Sequence, residues 1–350
     1  MRTKPKALFI CGSLNQTKQM HAVARELPEL DAWFTPYYVQ GLLDRARKAH
    51  LLDMTIAGFP WMERCKAYLS EHGLSLDYQG SRFHDEYELV VTCQDVYVGP
   101  NVRRLVRDGV GLVLVQEGMT DPENFMYHVV KHVPFVPRWF ASTSTTGLSG
   151  YYDRFCVASE GYRELFARKG CDPSKMVVTG IPNFDDMERY RNNRFPERDY
   201  ALVCTSDARE TGKFFDSRQD FLKSAFAIAG DLRLIVKLHP NEDFARARKE
   251  IQALAPHATI LTEGSAEEMV ANCRLLVVQY STLAYVGLAL GKEVHAKYPI
   301  DELRRLVPLQ NGGTSGKAIA DVCRQVFQAR RRTRRTATAR SGDSGHEANP

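Results

Sequence analysis

The chain reads as an α/β protein built from two doubly wound parallel-sheet domains, and three observations predict this. Short apolar runs alternate with stretches of helical spacing from residue 7 to residue 329. These runs are apolar at nearly every position, the pattern of strands covered on both faces rather than on one. A polar, proline-containing stretch, Glu188–Asp199, divides the series into two similar halves.

In the first half, Ala7–Cys11 is predicted as a strand, Thr17–Glu26 as a helix and Glu88–Thr92 as a strand ending at Cys93-Gln94-Asp95. Val102–Asp108 then reads as helix and Gly111–Val115 as a strand ending at Gln116-Glu117-Gly118. Arg154–Ala158 follows as a strand, Gly161–Lys169 as a helix closed by Gly170, and Met176–Thr179 as a strand. In the second half the strands are Tyr200–Cys204, Leu232–Leu238, Thr259–Leu261 and Leu275–Val278, with Ser217–Ala229 helical. The expected organisation is a domain over 1–187, a linker over 188–199, a nucleotide-binding domain over 200–329 and a disordered basic tail over 330–350. The last helix, Ile319–Arg330, is expected to pack back across the structure.

Composition points to an enzyme-sized globular chain. Of its 350 residues 44% are hydrophobic and 25% charged, both near globular averages, so a sizeable core is expected. No apolar run approaches the roughly 18 residues that span a bilayer. Ala7–Cys11 is too short for a signal peptide and is expected to be the first strand. Eight cysteines are scattered singly with no CxxC pair, which favours buried thiols in a reducing, cytoplasmic setting over disulfides or zinc.

The formal charge of +5 is concentrated at the end of the chain. Six Arg lie from Arg330 onward against Asp343 and Glu347, a balance of +4, so the body is near neutral. A near-neutral body gives no support to a nucleic-acid enzyme, and no nucleic-acid partner is expected. The tail is expected to be solvated; its functional alternative is a weak contact with anionic lipid headgroups, which would set the cytoplasmic protein against the inner face of the membrane.

The sharpest single stretch is Leu234-Ile235-Val236-Lys237-Leu238-His239-Pro240-Asn241. Pro240 cannot donate to a sheet ladder, so the strand stops and leaves His239 at its carboxyl end, where open α/β sheets bind ligands. The turn Gln279-Tyr280-Ser281-Thr282-Leu283 joins a strand to a helix and offers free N–H groups with two hydroxyls, which suits a phosphate. Ser281 and Thr282 serve equally well as plain helix caps. Arg209 and Lys213, in the polar loop Thr205–Lys213, are candidate diphosphate counter-charges. In the first half Gly12-Ser13 forms a glycine loop after the first strand. Asp95 and Glu117 stand at strand ends as candidate bases, able to accept a proton from an attacking hydroxyl. Tyr37-Tyr38 and Trp139-Phe140 are aromatic pairs for an acceptor surface or for the core.

The order of these features resembles the GT-B superfamily, which includes nucleotide-sugar glycosyltransferases and the non-hydrolysing UDP-N-acetylglucosamine 2-epimerases. CDP-glycerol glycerophosphotransferases share features with the second half. The resemblance spans residues 6–329 and rests on Gly12-Ser13, Asp95, Glu117, Asp153 with Ser159-Glu160, Thr179-Gly180-Ile181-Pro182-Asn183, Lys237-Leu238-His239-Pro240 and Tyr280-Ser281-Thr282 before Leu290-Gly291-Lys292. It implies two Rossmann-like domains facing a cleft. It also implies transfer of a sugar from a nucleotide-diphosphate donor to a glycan, glycoconjugate or lipid-linked acceptor, with no further cofactor and no metal. Glu117, Asp95 and His239 would be catalytic. Gly12, Ser13, Arg209, Lys213, His239, Ser281 and Thr282 would bind the nucleotide and its phosphates. The alternatives are a 2-epimerase, a glycerophosphotransferase, or a non-catalytic sugar-nucleotide binding protein. Leu14 stands where the epimerase pattern has Arg, Thr282-Leu283 where it has a glycine pair, and Val286-Gly287 where it has its ribose-binding Glu pair.

Overall fold

A computed structural model describes residues 3–36, 39–53, 55–133, 135–206 and 217–343. The chain forms two compact units, one comprising Met1–Asn183 with Gly313–Pro350, the other Phe184–Gly312.

The first unit is organised on a seven-stranded parallel sheet: β1 (Lys6–Cys11), β2 (Asp31–Pro36), β3 (Ser75–Leu76), β4 (Tyr87–Thr92), β5 (Gly111–Val115), β6 (Arg154–Val157) and β7 (Met176–Val178). Their order is β3-β2-β1-β4-β5-β6-β7, so the chain winds outward from β1 in both directions. Parallel pairing puts every strand's carboxyl end on one edge, and the loops on that edge carry the polar residues. Phe9 on β1 and Phe34 on β2 stack at 5.2 Å beneath the helix Leu14–Arg25, which buries Met20 and Val23 in the same core.

The final helix, Ser315–Asp343, belongs to this unit. It buries Ile319, Ala320, Val322, Cys323 and Val326 against the sheet. Gly111 permits that approach, since a Cβ there would lie 2.5 Å from a Val326 methyl. The expectation of a disordered tail from Arg330 is corrected over Arg330–Asp343, which is helical. The arginines find two carboxylates and a backbone carbonyl folded close by. Arg330 pairs with Asp153, Arg331 lies 3.3 Å from Glu88, and Arg334 donates to the Asp108 carbonyl at 2.7 Å, at the end of the helix Pro100–Arg107.

The second unit carries a five-stranded parallel sheet, β8 (Ala201–Cys204), β9 (Leu234–Lys237), β10 (Thr259–Leu261), β11 (Leu275–Val278) and β12 (Glu293–His295), in the order β10-β9-β8-β11-β12. Its core gathers Val203, Val236 and Val277 from the strands with Leu222, Ala225 and Ile251 from the covering helices. Glu188–Asp199, read as an interdomain linker, is packed into this unit. The Asn193 and Asn272 side chains exchange hydrogen bonds at 2.9 and 3.0 Å, and Arg191 donates to the Leu290 carbonyl at 3.0 Å. Its polar residues are consumed by local contacts, which is why composition alone mistakes it for a connector.

All eight cysteines are buried thiols. Among the described residues no helix is long and apolar enough to cross a membrane.

Candidate functional site

Two polar constellations occupy strand ends, one in each unit. In the second unit β9 stops at Lys237, whose buried ammonium donates to the carbonyls of Leu238 at 3.1 Å and Thr262 at 3.0 Å. Burial pushes the Lys237 pKa down, opposed by Cys204, Glu267 and Glu242. Lys237 thus ties together the turns after β9 and β10.

His239 follows, its own N–H donating to the Glu242 carboxylate at 2.8 Å and to the Thr205 hydroxyl at 3.2 Å. Glu242 is buried and also accepts from the Thr205 hydroxyl and from Arg218. The turn is therefore held largely through its backbone, with one further bond to the imidazole. The ring Nδ1 accepts from the Asn241 N–H at 3.3 Å, which puts the proton of the neutral ring on Nε2. His239 thus stands at the carboxyl edge of the sheet with its ring turned to the start of the next turn.

Between β9 and β11 lies β8, and its end links the two flanking turns. Thr205 reaches the His239 turn as described, and Ser206 donates to the Gln279 side chain at 2.7 Å, at the end of β11. Ser281 accepts from the Leu283 N–H at 3.3 Å and so caps the helix Leu283–Ala289, whereas Thr282 makes no side-chain cap bond. Of the four residues expected to converge on one face, His239, Arg209, Ser281 and Thr282, three follow the carboxyl ends of strands of this parallel sheet. Arg209 and Lys213 lie outside the described residues. Thr205, Ser206, Glu242 and Gln279, which sequence reasoning did not single out, connect the arrangement. Their only signal in the sequence is a run of polar residues directly after strands.

A cavity of about 530 Å³ opens between the helix Arg218–Ala229 and the ends of β11 and β12, next to Gln279. Phe221, Ala225 and Val277 line it together with Asp220, His295 and Lys297; His239, Ser281 and Thr282 do not.

In the first unit Glu117 follows β5 and meets the glycine loop that follows β1. Ser13 donates its hydroxyl to Glu117 at 2.9 Å and the Gln16 amide donates at 2.6 Å. The loop is closed on itself: the Gly12 N–H donates to the Gln16 side-chain oxygen at 2.8 Å, Ser13 caps the helix Leu14–Arg25, and the Cys65 thiol donates to the Gly12 carbonyl at 3.1 Å. Burial pushes the Glu117 carboxyl above the usual range, opposed by the hydrogen bonds from Gln16 and Ser13. An anion at this helix start would meet the Glu117 carboxylate. Gly12 and Ser13 are accordingly placed to hold Glu117, whose carboxylate form would repel a phosphate bound at the same loop.

Asp95 follows β4 and is fully buried. Its two oxygens accept from the backbone N–H groups of Gly147 at 2.8 Å and Ser149 at 2.9 Å. Burial raises its pKa, against the pull of those N–H groups and Arg138. Both oxygens are spent on fixing the 147–149 loop, which gives Asp95 a structural task in place of the base role the sequence suggested. Among the described residues no His, Cys, Asp and Glu side chains are grouped as a metal ion would require.

No protein-family model and no curated protein sequence matches the chain. Solved structures do resemble it. The UDP-GlcNAc 2-epimerase of Neisseria meningitidis, solved with UDP-GlcNAc, is 12% identical, with a TM-score of 0.53 over 91% of this chain and 99% of that one. The UDP-GlcNAc 2-epimerase of Methanocaldococcus jannaschii is 13% identical, with a TM-score of 0.52 over 91% and 99%. MurG of Acinetobacter baumannii is 10% identical, with a TM-score of 0.50 over 92% and 100%. These proteins are GT-B superfamily members, and the chain has their fold.

Proposed function

We propose that the protein is a GT-B-type transferase that moves a sugar from a nucleotide-diphosphate donor to a glycan, glycoconjugate or lipid-linked acceptor. The observation that carries the reading is the joined strand-end edge of the second unit. There His239 and the Ser281-Thr282 turn are linked through Thr205, Ser206 and Gln279. That edge receives the diphosphate, with Arg209 and Lys213 as further counter-charges.

In this account Glu117 accepts the acceptor's hydroxyl proton while that oxygen bonds to the anomeric carbon. The bond from that carbon to the diphosphate oxygen breaks, and the nucleoside diphosphate leaves with both electrons. The N–H donors and cations of the second unit stabilise the charge that develops on the leaving oxygen. No cofactor or metal ion is assigned to the step. The protein is expected to work in the cytoplasm, against the membrane's inner face where the acceptor is lipid-linked.

One structural feature favours transfer over 2-epimerisation. Val286 and Gly287, where the epimerase pattern has its ribose-binding Glu pair, are both buried. A Cβ on Gly287 would lie 2.7 Å from a Val294 methyl and 2.9 Å from one of Leu276, so a carboxylate side chain has no space there. Epimerisation breaks the C–H bond at the sugar's second carbon and returns a proton from a protein acid. Incubation with UDP-N-acetylglucosamine in heavy water, followed by NMR, is expected to leave that carbon undeuterated. Deuterium appearing there without an acceptor would overturn the transferase reading.

A further inference from the structure

The strand-end edge of the second unit is built around a buried acid. Glu242, three residues after His239, has no exposed side-chain surface. One of its oxygens accepts from the His239 N–H at 2.8 Å and from the Thr205 hydroxyl. It thereby fastens the turn after β9 to the end of β8, where Ser206 reaches across to Gln279. A carboxylate placed beneath an anion site should repel the anion, as the Glu117 carboxylate would at the Gly12-Ser13 loop.

The two acids differ in what faces them. Glu117 is held by neutral donors, the Ser13 hydroxyl and the Gln16 amide. The second oxygen of Glu242 is met by a guanidinium, that of Arg218, which opens the helix Arg218–Ala229 and is only 14% exposed. Arg218 also lies 2.7 Å from Glu250 on the helix Phe244–Leu254, and Arg246 of that helix lies 3.5 Å from Glu250. Two arginines and two glutamates thus form a neutral set. The Lys237 ammonium is within electrostatic reach of Glu242 and spends its protons on two carbonyls.

A carboxylate held out of water projects its charge through a weakly screening medium, whereas a paired one presents little net field. The hydrogen bonds that hold the His239 turn use the Glu242 oxygen that Arg218 does not touch. Geometry and charge compensation are therefore supplied by different partners.

We infer that Arg218 is a positioning residue of the diphosphate edge, cancelling the charge of the Glu242 carboxylate that fastens it. The inference rests on the reading of this edge as a diphosphate site and adds a requirement to it. Arg218 acts on affinity through Glu242, without touching the ligand.

The test is isothermal titration of the full chain with UDP, CDP, GDP and ADP, the tightest of them then being carried through the variants. Arg218→Met leaves the Glu242 charge uncompensated and is expected to weaken binding about tenfold or more. Arg218→Lys keeps the positive charge and should stay within about threefold of the wild type. Adding Glu242→Gln to Arg218→Met removes the buried charge, and the glutamine oxygen can still accept from Thr205 and His239. Affinity in that double variant should return to within about threefold of the wild type. A residue needed only for packing would give losses that deepen in the double variant. One that touches the diphosphate would leave the double variant as weak as Arg218→Met. Either result overturns the inference, and so does wild-type affinity in Arg218→Met. Should Arg218→Met fail to fold, the double variant decides alone, since it buries no unpaired Glu242 charge and leaves Glu250 beside Arg246. No binding of any of the four by the wild type would refute the diphosphate site and the inference with it. Weakened binding in His239→Ala beside unaltered binding in Arg218→Met would refute the inference alone.

Discussion

Replacing Glu117 by glutamine is expected to lower turnover about 10²–10⁴-fold while leaving donor binding intact, the usual range for loss of a general base. Glutamine can keep the local geometry. Its carbonyl can accept from the Gln16 amide, and its own amide can donate to the Ser13 hydroxyl, which already accepts from the Gln16 N–H. The pH profile carries a second signature. Burial holds the Glu117 carboxyl above the usual value, so its base form accumulates only as pH rises through that raised pKa. Wild-type kcat/KM should therefore climb with pH along an acid limb centred above the ordinary glutamate value of about 4.3, and the variant should lack the limb.

Stability moves the opposite way. A carboxyl whose pKa is raised by folding favours the folded state only while protonated. That contribution is complete below the unfolded pKa and is lost as pH rises through the folded one. The glutamine variant, which never bears the buried charge, should melt at least as high as the wild type at pH 8. Lost turnover with an unchanged or higher Tm separates a chemical role from a folding defect. An active variant with an unaltered pH profile would remove Glu117 from the mechanism.

The second large effect is expected at His239. Changing it to alanine should weaken binding of the cognate nucleoside diphosphate about 10–100-fold. A hydrogen bond to a charged group contributes about 1.5–3 kcal/mol, and each 1.4 kcal/mol is a factor of ten. The fold should persist, because the bonds from the His239 backbone N–H to Thr205 and Glu242 survive the change. His239→Gln keeps a donor near the position of Nε2 and should recover part of the loss. Isothermal titration with the three proteins gives the comparison, and equal affinities would leave His239 as a strand terminator only.

What the sequence reveals of this fold depends on how local the signal is. Ala7–Cys11, Gly111–Val115 and Leu234–Leu238 are legible because central parallel strands are apolar on both faces. β2, Asp-Ala-Trp-Phe-Thr-Pro, begins with a carboxylate and ends with proline, and three of its six positions are only partly buried. Its pattern therefore falls between strand and loop. β12 has three residues and β3 two, too few for any periodicity to emerge. The basic tail misleads for a related reason. Its arginines look unsatisfied in sequence, while their partners Asp153, Glu88 and Asp108 are brought to them only by folding.

The site divides in the same way. His239 is legible because Pro240 ends the strand beside it, and Ser281 because hydroxyls stand at a strand-to-helix turn. The pairing of Glu117 with Ser13 spans 104 residues and follows from β4 alone separating β1 from β5, which no local pattern encodes. Asp95 shows the converse. A strand-end acid looks catalytic until the fold brings two backbone N–H groups onto its oxygens.

The central claim is that the strand-end edge of the second unit holds a nucleoside diphosphate. Hydrogen exchange of the full chain tests it most directly, with and without the nucleoside diphosphate that most raises the Tm in a thermal-shift panel. A ligand at 100 times its Kd stabilises the fold by about 2.7 kcal/mol, enough to identify it. The account predicts slowed exchange at His239–Glu242 and Gln279–Leu283, with Gly12–Gln16 unchanged. Protection confined to the Gly12–Gln16 loop, or to the cavity beside Phe221 and Lys297, would contradict it.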